Sequence, residues 1–126
     1  MLPIFAGMIQ PIGRHLIVEY YACPGEILDN TDLIEELMKE AALASGAHIR
    51  SSNFHKFDPI GVSGVIIIQE SHLTIHTWPD QGYAAVDIFT CGDSVDPWKA
   101  YEALKNSLKC TDSRTREMFR GAELQK

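Results

Sequence analysis

The fold is decided by the segment VIIIQESHLTIHTWP, residues 65–79, in which a continuous apolar run leads into residues of alternating character. Its second half is rich in β-branched and aromatic side chains and ends at a proline, which predicts a strand. Side chains alternate between the two faces of a strand, so Leu73 and Ile75 point one way while His72 and His76 point the other. We expect one face to pack into a core and the other to carry chemistry.

Similar patterns on both sides of this segment predict the remaining strands. β-Branched and aromatic runs bounded by proline and glycine are typical of strands, and they occur at residues 15–23, 48–57, 62–70, 72–78 and 83–91. Residues 80–82 form a plausible turn between the last two. After residue 110 the chain becomes polar, and residues 116–121 are predicted either to add a short edge strand or to be mobile.

Two helices are predicted from their capping residues. Asn30, Thr31 or Asp32 can cap the first helix, and Gly46 suits its C-terminal end. Asp96 followed by a proline suits the start of the second. Helical spacing predicts a buried stripe on the second helix, formed by Trp98, Tyr101, Leu104 and Leu108.

The order strand, helix, strands, helix predicts the fold class α+β. We expect a two-layer sandwich in which two helices cover one face of a mostly antiparallel sheet. The chain of 126 residues has the size of a single domain, spanning 1–126. Because the strands are too apolar for water on their second face, we also expect a dimer in which the sheets pack face to face.

Composition and charge restrict the function. Hydrophobic residues make up 45% and charged residues 22% of the chain, enough for a core. A net charge of −6 without a basic face argues against nucleic acid as a partner and favours a small metabolite. Three cysteines without CxxC spacing indicate reduced thiols and a cytoplasmic location. The apolar residues 1–9 lack a basic region, are broken by Pro3 and are too short to span a membrane.

Two familiar chemistries fit the central segment poorly. His72 and His76 lie about 13 Å apart on a strand, too far to share one metal ion, so no metal site is expected. Ser71 lacks the flanking glycines of a hydrolase nucleophile elbow. His15, His48 and His55 are interpreted as hydrogen-bonded structural residues.

Seven segments, spread from residue 13 to about residue 109, together match a known family. They are Gly13–Leu16, Phe54–His55, Gly61–Val65, Glu70–Pro79, Gly82–Ala85, Asp87–Gly92 and Asp96–Ala100. On these segments the sequence resembles the small prokaryotic S-adenosylmethionine decarboxylases, enzymes of spermidine synthesis with a covalent pyruvoyl group.

The resemblance implies that the chain cuts itself between Glu70 and Ser71. The Ser71 hydroxyl would attack the Glu70 carbonyl, and the resulting ester would break down to leave a pyruvoyl cofactor at position 71. Residues 1–70 would become the β chain and 71–126 the α chain. His76 matches the family's processing base, and Ser63 matches a hydroxyl that assists processing by hydrogen bonding.

The resemblance also implies roles in decarboxylation of S-adenosylmethionine. The pyruvoyl carbonyl would form a Schiff base with the substrate amine and take up the electrons released as carbon dioxide leaves. Cys91 matches the family's proton donor, and a free thiol is mostly protonated at neutral pH. Phe57 and Trp78 are expected to stack on the adenine, and Asp80 to accept hydrogen bonds from the ribose. The family usually has glutamate in place of Asp80. A homodimer of processed protomers, with two α and two β chains, is expected.

Two other functions are compatible with these residues. A pyruvoyl-dependent decarboxylase on the same scaffold can act on arginine or ornithine, and the shorter carboxylate of Asp80 keeps that alternative open. The second alternative is an unprocessed homologue that acts as a binding or regulatory partner. The presence of Ser71, His76 and Cys91 argues against it.

Overall fold

The computed structural model describes residues 11–122, so the apolar N-terminal segment 1–9 lies outside the described residues. The chain order is β1 (Gly13–Tyr21), α1 (Gly25–Leu28), α2 (Thr31–Ala44), β2 (Ile49–Lys56), β3 (Val62–Ile68), β4 (Ser71–Trp78), β5 (Tyr83–Cys91), α3 (Pro97–Ser107) and β6 (Asp112–Arg120). A short 3₁₀ turn, Pro79–Gln81, joins β4 to β5 at the place where the sequence predicts a turn.

The strands form one six-stranded sheet in the order β2-β3-β4-β5-β1-β6. Every neighbouring pair is antiparallel. The segment that decides the fold is a hairpin, because β3 and β4 pair directly and only Gln69 and Glu70 lie between them. The predicted α+β class is therefore confirmed.

One face of the sheet packs against α2 and α3. On β4, Leu73, Ile75 and Thr77 are buried, whereas His76 and Trp78 are exposed. The same alternation continues on β5, where Ala84, Val86 and Ile88 are buried, and on β1. Burial of these side chains against the helices supplies the main stabilisation of the domain.

The ends of the two long helices are set by local hydrogen bonds. The Asn30 side chain accepts from the Leu33 N–H at 3.1 Å, and the Asp96 side chain accepts from the Trp98 N–H at 3.0 Å. Gly46 follows the end of α2 with a φ of +90°, a conformation that favours glycine. These caps confirm the predicted helix starts.

Other expectations are wrong in detail. Trp98 is 37% exposed and contacts the Tyr101 ring edge-on, so it does not belong to the buried stripe. The four-residue helix α1 adds a third helix. The C-terminal strand β6 has nine residues and begins at Asp112, and it pairs with β1 along its whole length.

The second face of the sheet, called here the open face, has mixed character. Ile17 and Ile67 are exposed on it, as an interface between two sheets requires. Polar contacts cross the same face, because Asp87 accepts hydrogen bonds from His15 at 3.0 Å and from Thr74 at 3.1 Å. The dimer that packs sheet to sheet stays a prediction. Among residues 11–122, no helix has the length and apolarity that crossing a membrane requires.

Candidate active site

The carbonyl group of Glu70 is held by two donors from a neighbouring strand. The Cys91 N–H donates to this oxygen at 2.8 Å and the Cys91 Sγ donates at 3.0 Å. Two donors on one carbonyl polarise it and can stabilise negative charge that develops on the oxygen. The peptide bond between Glu70 and Ser71 is thus arranged as a target for a nucleophile.

The backbone at Ser71 is strained. Its φ is +140°, in a region that residues with a side chain rarely adopt. Such a conformation costs about 1–3 kcal/mol and persists only where its surroundings impose it. Here the constraints are the tight β3–β4 turn and the bonds from Cys91, so the strain is located beside the predicted cleavage point.

The Glu70 side chain is fixed by His48. The His48 ring lies 2.8 Å from one carboxylate oxygen, and the His48 N–H donates to the other at 3.1 Å. These hydrogen bonds hold the pKa of the Glu70 carboxyl below its usual range. The interpretation of His48 as a hydrogen-bonded structural residue is confirmed, and its partner is the residue that precedes the predicted cleavage point.

Ser63 and His76 meet on adjacent strands. They are opposite each other in the β3–β4 register, and the Ser63 Oγ lies 2.7 Å from the His76 Nδ1. His76 is exposed on the open face, so its second ring nitrogen is accessible. Gly64 beside them has to be a glycine, because a Cβ there would lie 2.0 Å from the Phe54 ring.

An open cavity of about 510 Å³ lies next to this pair. The predicted substrate residues Phe57, Trp78 and Asp80 line it together with Ser63 and His76. Four residues to which the sequence assigned no role at the site also form its walls, namely Ile60, Gly61, Thr77 and Pro79. Its aromatic walls and one carboxylate are suited to a planar, polar ligand.

A second concavity of about 410 Å³ adjoins the first across Trp78. Tyr21, Gln81 and Tyr83 line it, and the Tyr83 ring stacks on both Trp78 and Tyr21. Burial, followed by the hydrogen bond to Glu19, raises the pKa of Tyr83. The sequence signal that could have revealed this cluster is the position of its aromatic residues at the ends of predicted strands, beside Gly82.

The predicted site residues thus form two groups at opposite ends of β4. Glu70, Ser71 and Cys91 lie at its start, and the cavity with Ser63 and His76 lies at its end. Five residues of strand separate Ser71 from His76, which corresponds to about 16 Å. One chain therefore does not bring the attacking hydroxyl and the predicted base together. Within the part of the chain that is described, no group of three or more His, Cys, Asp or Glu side chains is arranged to hold a metal ion.

Known proteins match almost the whole chain. The profile of the S-adenosylmethionine decarboxylase family matches residues 14–121. The S-adenosylmethionine decarboxylase proenzyme of Thermotoga maritima is 58% identical over 113 residues, which cover 90% of this chain and 87% of that protein. The proenzyme of Caldicellulosiruptor saccharolyticus is 56% identical over 113 residues, covering 90% and 91%.

A solved structure shares the fold. The crystal structure of the adenosylmethionine decarboxylase from Aquifex aeolicus matches with a TM-score of 0.86 and 29% sequence identity, covering 93% of this chain and 97% of that chain. The chain belongs to the S-adenosylmethionine decarboxylase family, as its sequence motifs indicated.

Proposed function

We propose that this protein is a self-maturing, pyruvoyl-dependent S-adenosylmethionine decarboxylase. The observation that carries the proposal is the pair of hydrogen bonds from Cys91 to the carbonyl oxygen of Glu70, directly before the strained Ser71. In this proposal the single domain 1–126 is cut between Glu70 and Ser71 into chains 1–70 and 71–126. The three unpaired cysteines fit a cytoplasmic location.

The residues around position 71 fit the formation of a pyruvoyl group. The base takes the proton of the Ser71 hydroxyl as its Oγ attacks the Glu70 carbonyl carbon. The C–N bond then breaks, and the base gives that proton to the freed amine of residue 71. Donors from Cys91 stabilise the charge on the carbonyl oxygen during this step. Cleavage also removes the constraint that imposes the positive φ on Ser71, so the strain favours reaction. Removal of the α-proton of residue 71 expels the α-carboxylate of Glu70, and addition of water with loss of ammonia then leaves the pyruvoyl group.

His76 is the base in this proposal, and Ser63 sets its tautomer. A base needs an unprotonated ring nitrogen that faces the hydroxyl. If the Nδ1–H of His76 donates to the Ser63 Oγ at 2.7 Å, the accessible Nε2 is free to accept a proton. In this arrangement the Ser63 hydroxyl accepts the hydrogen bond that fixes the His76 tautomer, and an alanine at position 63 could not accept it.

The same residues account for decarboxylation. The pyruvoyl group supplies an electron sink for the charge left when carbon dioxide departs. The Cys91 thiol, beside position 71, is placed to give a proton to the substrate α-carbon. Phe57 and Trp78 offer aromatic faces for the adenine, and Asp80 offers oxygens to the ribose hydroxyls.

We infer that a homodimer completes the site. General-base catalysis needs contact within about 3 Å or through one water, so a base about 16 Å away in the same chain cannot serve Ser71. Suppose that two open faces pack together about a two-fold axis that lies between the sheets and is perpendicular to β4. The β4 strands of the two protomers then run in opposite directions. The start of β4 in one protomer then meets the end of β4 in the other, across sheets about 10 Å apart. Each dimer of two α and two β chains would hold two such sites.

The substrate assignment is favoured by the shape of the cavity. Aromatic walls suit an adenine ring, whereas arginine and ornithine have no ring to stack on them. The carboxylate of Asp80 alone would also attract a basic amino acid. Turnover of S-adenosylmethionine, with no carbon dioxide released from arginine or ornithine, would exclude that alternative.

Intact mass spectrometry tests the proposal most directly. We expect two fragments that meet between Glu70 and Ser71, with the second one starting in a carbonyl group that a hydroxylamine probe traps. Ser71→Ala should stay uncut, while Ser51→Ala, which removes an exposed serine of β2, should mature normally. A wild-type protein that stays a single chain after prolonged incubation would contradict the proposal and favour the non-catalytic homologue.

A further inference from the structure

The loop between β2 and β3 forms one wall of the main cavity. It spans residues 57–61 and contributes Phe57, Ile60 and Gly61 to the lining. Phe57 is 45% and Ile60 is 41% exposed, so burial alone holds the loop weakly. One backbone hydrogen bond closes it, from the Phe57 N–H to the Gly61 carbonyl at 2.8 Å.

Two charged residues supply the other restraints on this loop. Asp29, which follows α1, accepts from the Gly61 N–H at 2.8 Å and lies 3.0 Å from the Lys56 Nζ. The Lys56 Nζ also donates to the carbonyl of Phe57 at 2.8 Å and approaches that of Pro59 at 3.4 Å. The Asp29–Lys56 ion pair is thus hydrogen-bonded to the loop backbone at both ends, to the Phe57 carbonyl at the start and to the Gly61 N–H at the end.

The hydrogen bonds have an electrostatic consequence at Asp29. The Gly61 N–H, followed by the Lys56 ammonium, holds the pKa of this carboxyl below its usual range. The carboxylate is therefore ionised throughout the neutral range, and its bonds to the loop are charge-assisted. They tie the cavity wall to α1, a part of the domain whose end packs on the core through Leu28.

We propose that the Asp29–Lys56 pair is a positioning device that holds the 57–61 loop in the shape the substrate requires. This inference rests on the proposed function and deepens it, because it assigns two residues outside the cavity to substrate binding. Neither touches the reacting atoms. Without the pair the loop samples other shapes, and the apparent affinity falls with the fraction of molecules that keeps the binding shape.

Most exposed ion pairs have little effect, and the chain offers one for comparison. Lys39 and Glu35 lie 3.4 Å apart on successive turns of α2, an arrangement within a single helix that restrains no loop. Lys56 differs because its ammonium bonds loop backbone as well as a carboxylate. Lys39→Met is therefore the matched control for Lys56→Met, since the same replacement keeps most of the side chain's length and removes the charge at both positions.

Steady-state kinetics and amide hydrogen exchange test the proposal together. For Lys56→Met we expect KM for S-adenosylmethionine to rise about five- to tenfold with kcat within about twofold, since the loop acts through binding. Exchange at the Gly61 amide should accelerate, and the extent of self-cleavage should be unchanged. Lys56→Arg should restore KM. Asp29→Asn, which keeps an acceptor for the Gly61 N–H, should lie between wild type and Lys56→Met.

The outcomes separate this proposal from the proposed function. An active wild type combined with an unchanged KM in a folded Lys56→Met protein would overturn the positioning role alone. A fall in kcat without a change in KM would overturn it too, because it would indicate an effect on chemistry. If wild type neither matures nor turns over S-adenosylmethionine, the proposed function fails, and unchanged exchange at Gly61 in Lys56→Met would then show that the pair does not hold the loop either.

Discussion

Two inactive variants should restore each other if the site is shared between protomers. Ser71→Ala removes the attacking hydroxyl, and His76→Ala removes the proposed base from the other end of β4. Each variant alone should stay largely uncut. In a mixed dimer, the Ser71 of the His76→Ala chain faces the intact His76 of the Ser71→Ala chain. That single combination contains both groups, so cleavage should return.

The extent of rescue follows from the geometry and from random assembly. Because about 16 Å separates Ser71 from His76 within one chain, His76 cannot act as the base for the Ser71 of its own chain. Equal amounts of the two variants give mixed dimers in about half of all assemblies. About half of the His76→Ala chains should therefore be cut, whereas the Ser71→Ala chains should all remain intact because they carry no hydroxyl.

Co-expression with two different affinity tags provides the assay. Tandem purification on both tags isolates the mixed dimers, in which nearly every His76→Ala chain should be cut, and intact mass identifies which chain is cleaved. Light scattering on the same sample gives the assembly state. Mixed dimers of verified composition in which no chain is cleaved would refute the shared site, and so would a wild type that matures fully as a monomer.

Three further predictions concern single residues. Cys91→Ala should slow maturation about tenfold or more, because it removes a donor to the Glu70 carbonyl. Cys91→Ser keeps a donor and should mature faster than Cys91→Ala. A time course of intact mass compares the two variants with wild type. Thr77→Val should destabilise the fold by about 2 kcal/mol in thermal unfolding, because the buried Thr77 hydroxyl donates to a carbonyl at 2.8 Å and accepts from an N–H at 2.9 Å. The lowered pKa of Glu70 means that its bonds to His48 stabilise the protein above the ordinary value of 4.5 and that this stability is lost as pH falls through the lowered value. In acid unfolding followed by circular dichroism, wild type should therefore be more stable than His48→Ala at pH 7, and this difference should shrink as the pH falls below 4.5.

Much of the fold could be predicted because it is encoded locally. The alternation along β4 depends only on strand geometry, and Leu73 and Ile75 are buried as the pattern indicates. The caps at Asn30 and Asp96 are contacts between residues two or three apart. Such features need no knowledge of the remaining chain.

Features that depend on distant partners were predicted poorly. The first six residues of β6 are all polar, and apolar residues appear only at Met118 and Phe119, so alternation does not indicate its nine residues. The strand is defined by its pairing with β1. Trp98 has the helical spacing of a buried residue, but it lies in the first turn of α3 and packs edge-on against Tyr101 instead of entering the core. Spacing gives the direction of a side chain and not the extent of the core.

The candidate site shows the same distinction. Ser71 and His76 occur in one short motif, and that proximity in sequence suggests a single constellation. An extended strand converts five residues into about 16 Å, so in the proposed dimer the two residues of one motif contribute to two different sites. By contrast, Ser63 and His76 are thirteen residues apart and in contact at 2.7 Å, because the hairpin folds one strand back on the other.

The division of groups along β4 has a consequence for when the enzyme becomes active. In the proposed dimer, a lone protomer holds the strained peptide and its oxyanion donors, but its own His76 lies about 16 Å from Ser71. The reactive arrangement is then completed by association, which brings the partner's end of β4 over the scissile bond. Strain of about 1–3 kcal/mol at Ser71 is small beside the barrier to peptide cleavage, so it prepares the bond without breaking it. Maturation should therefore depend on protein concentration below the dimer dissociation constant, and a cleavage rate per chain that is independent of dilution through that range would show that a single protomer is sufficient.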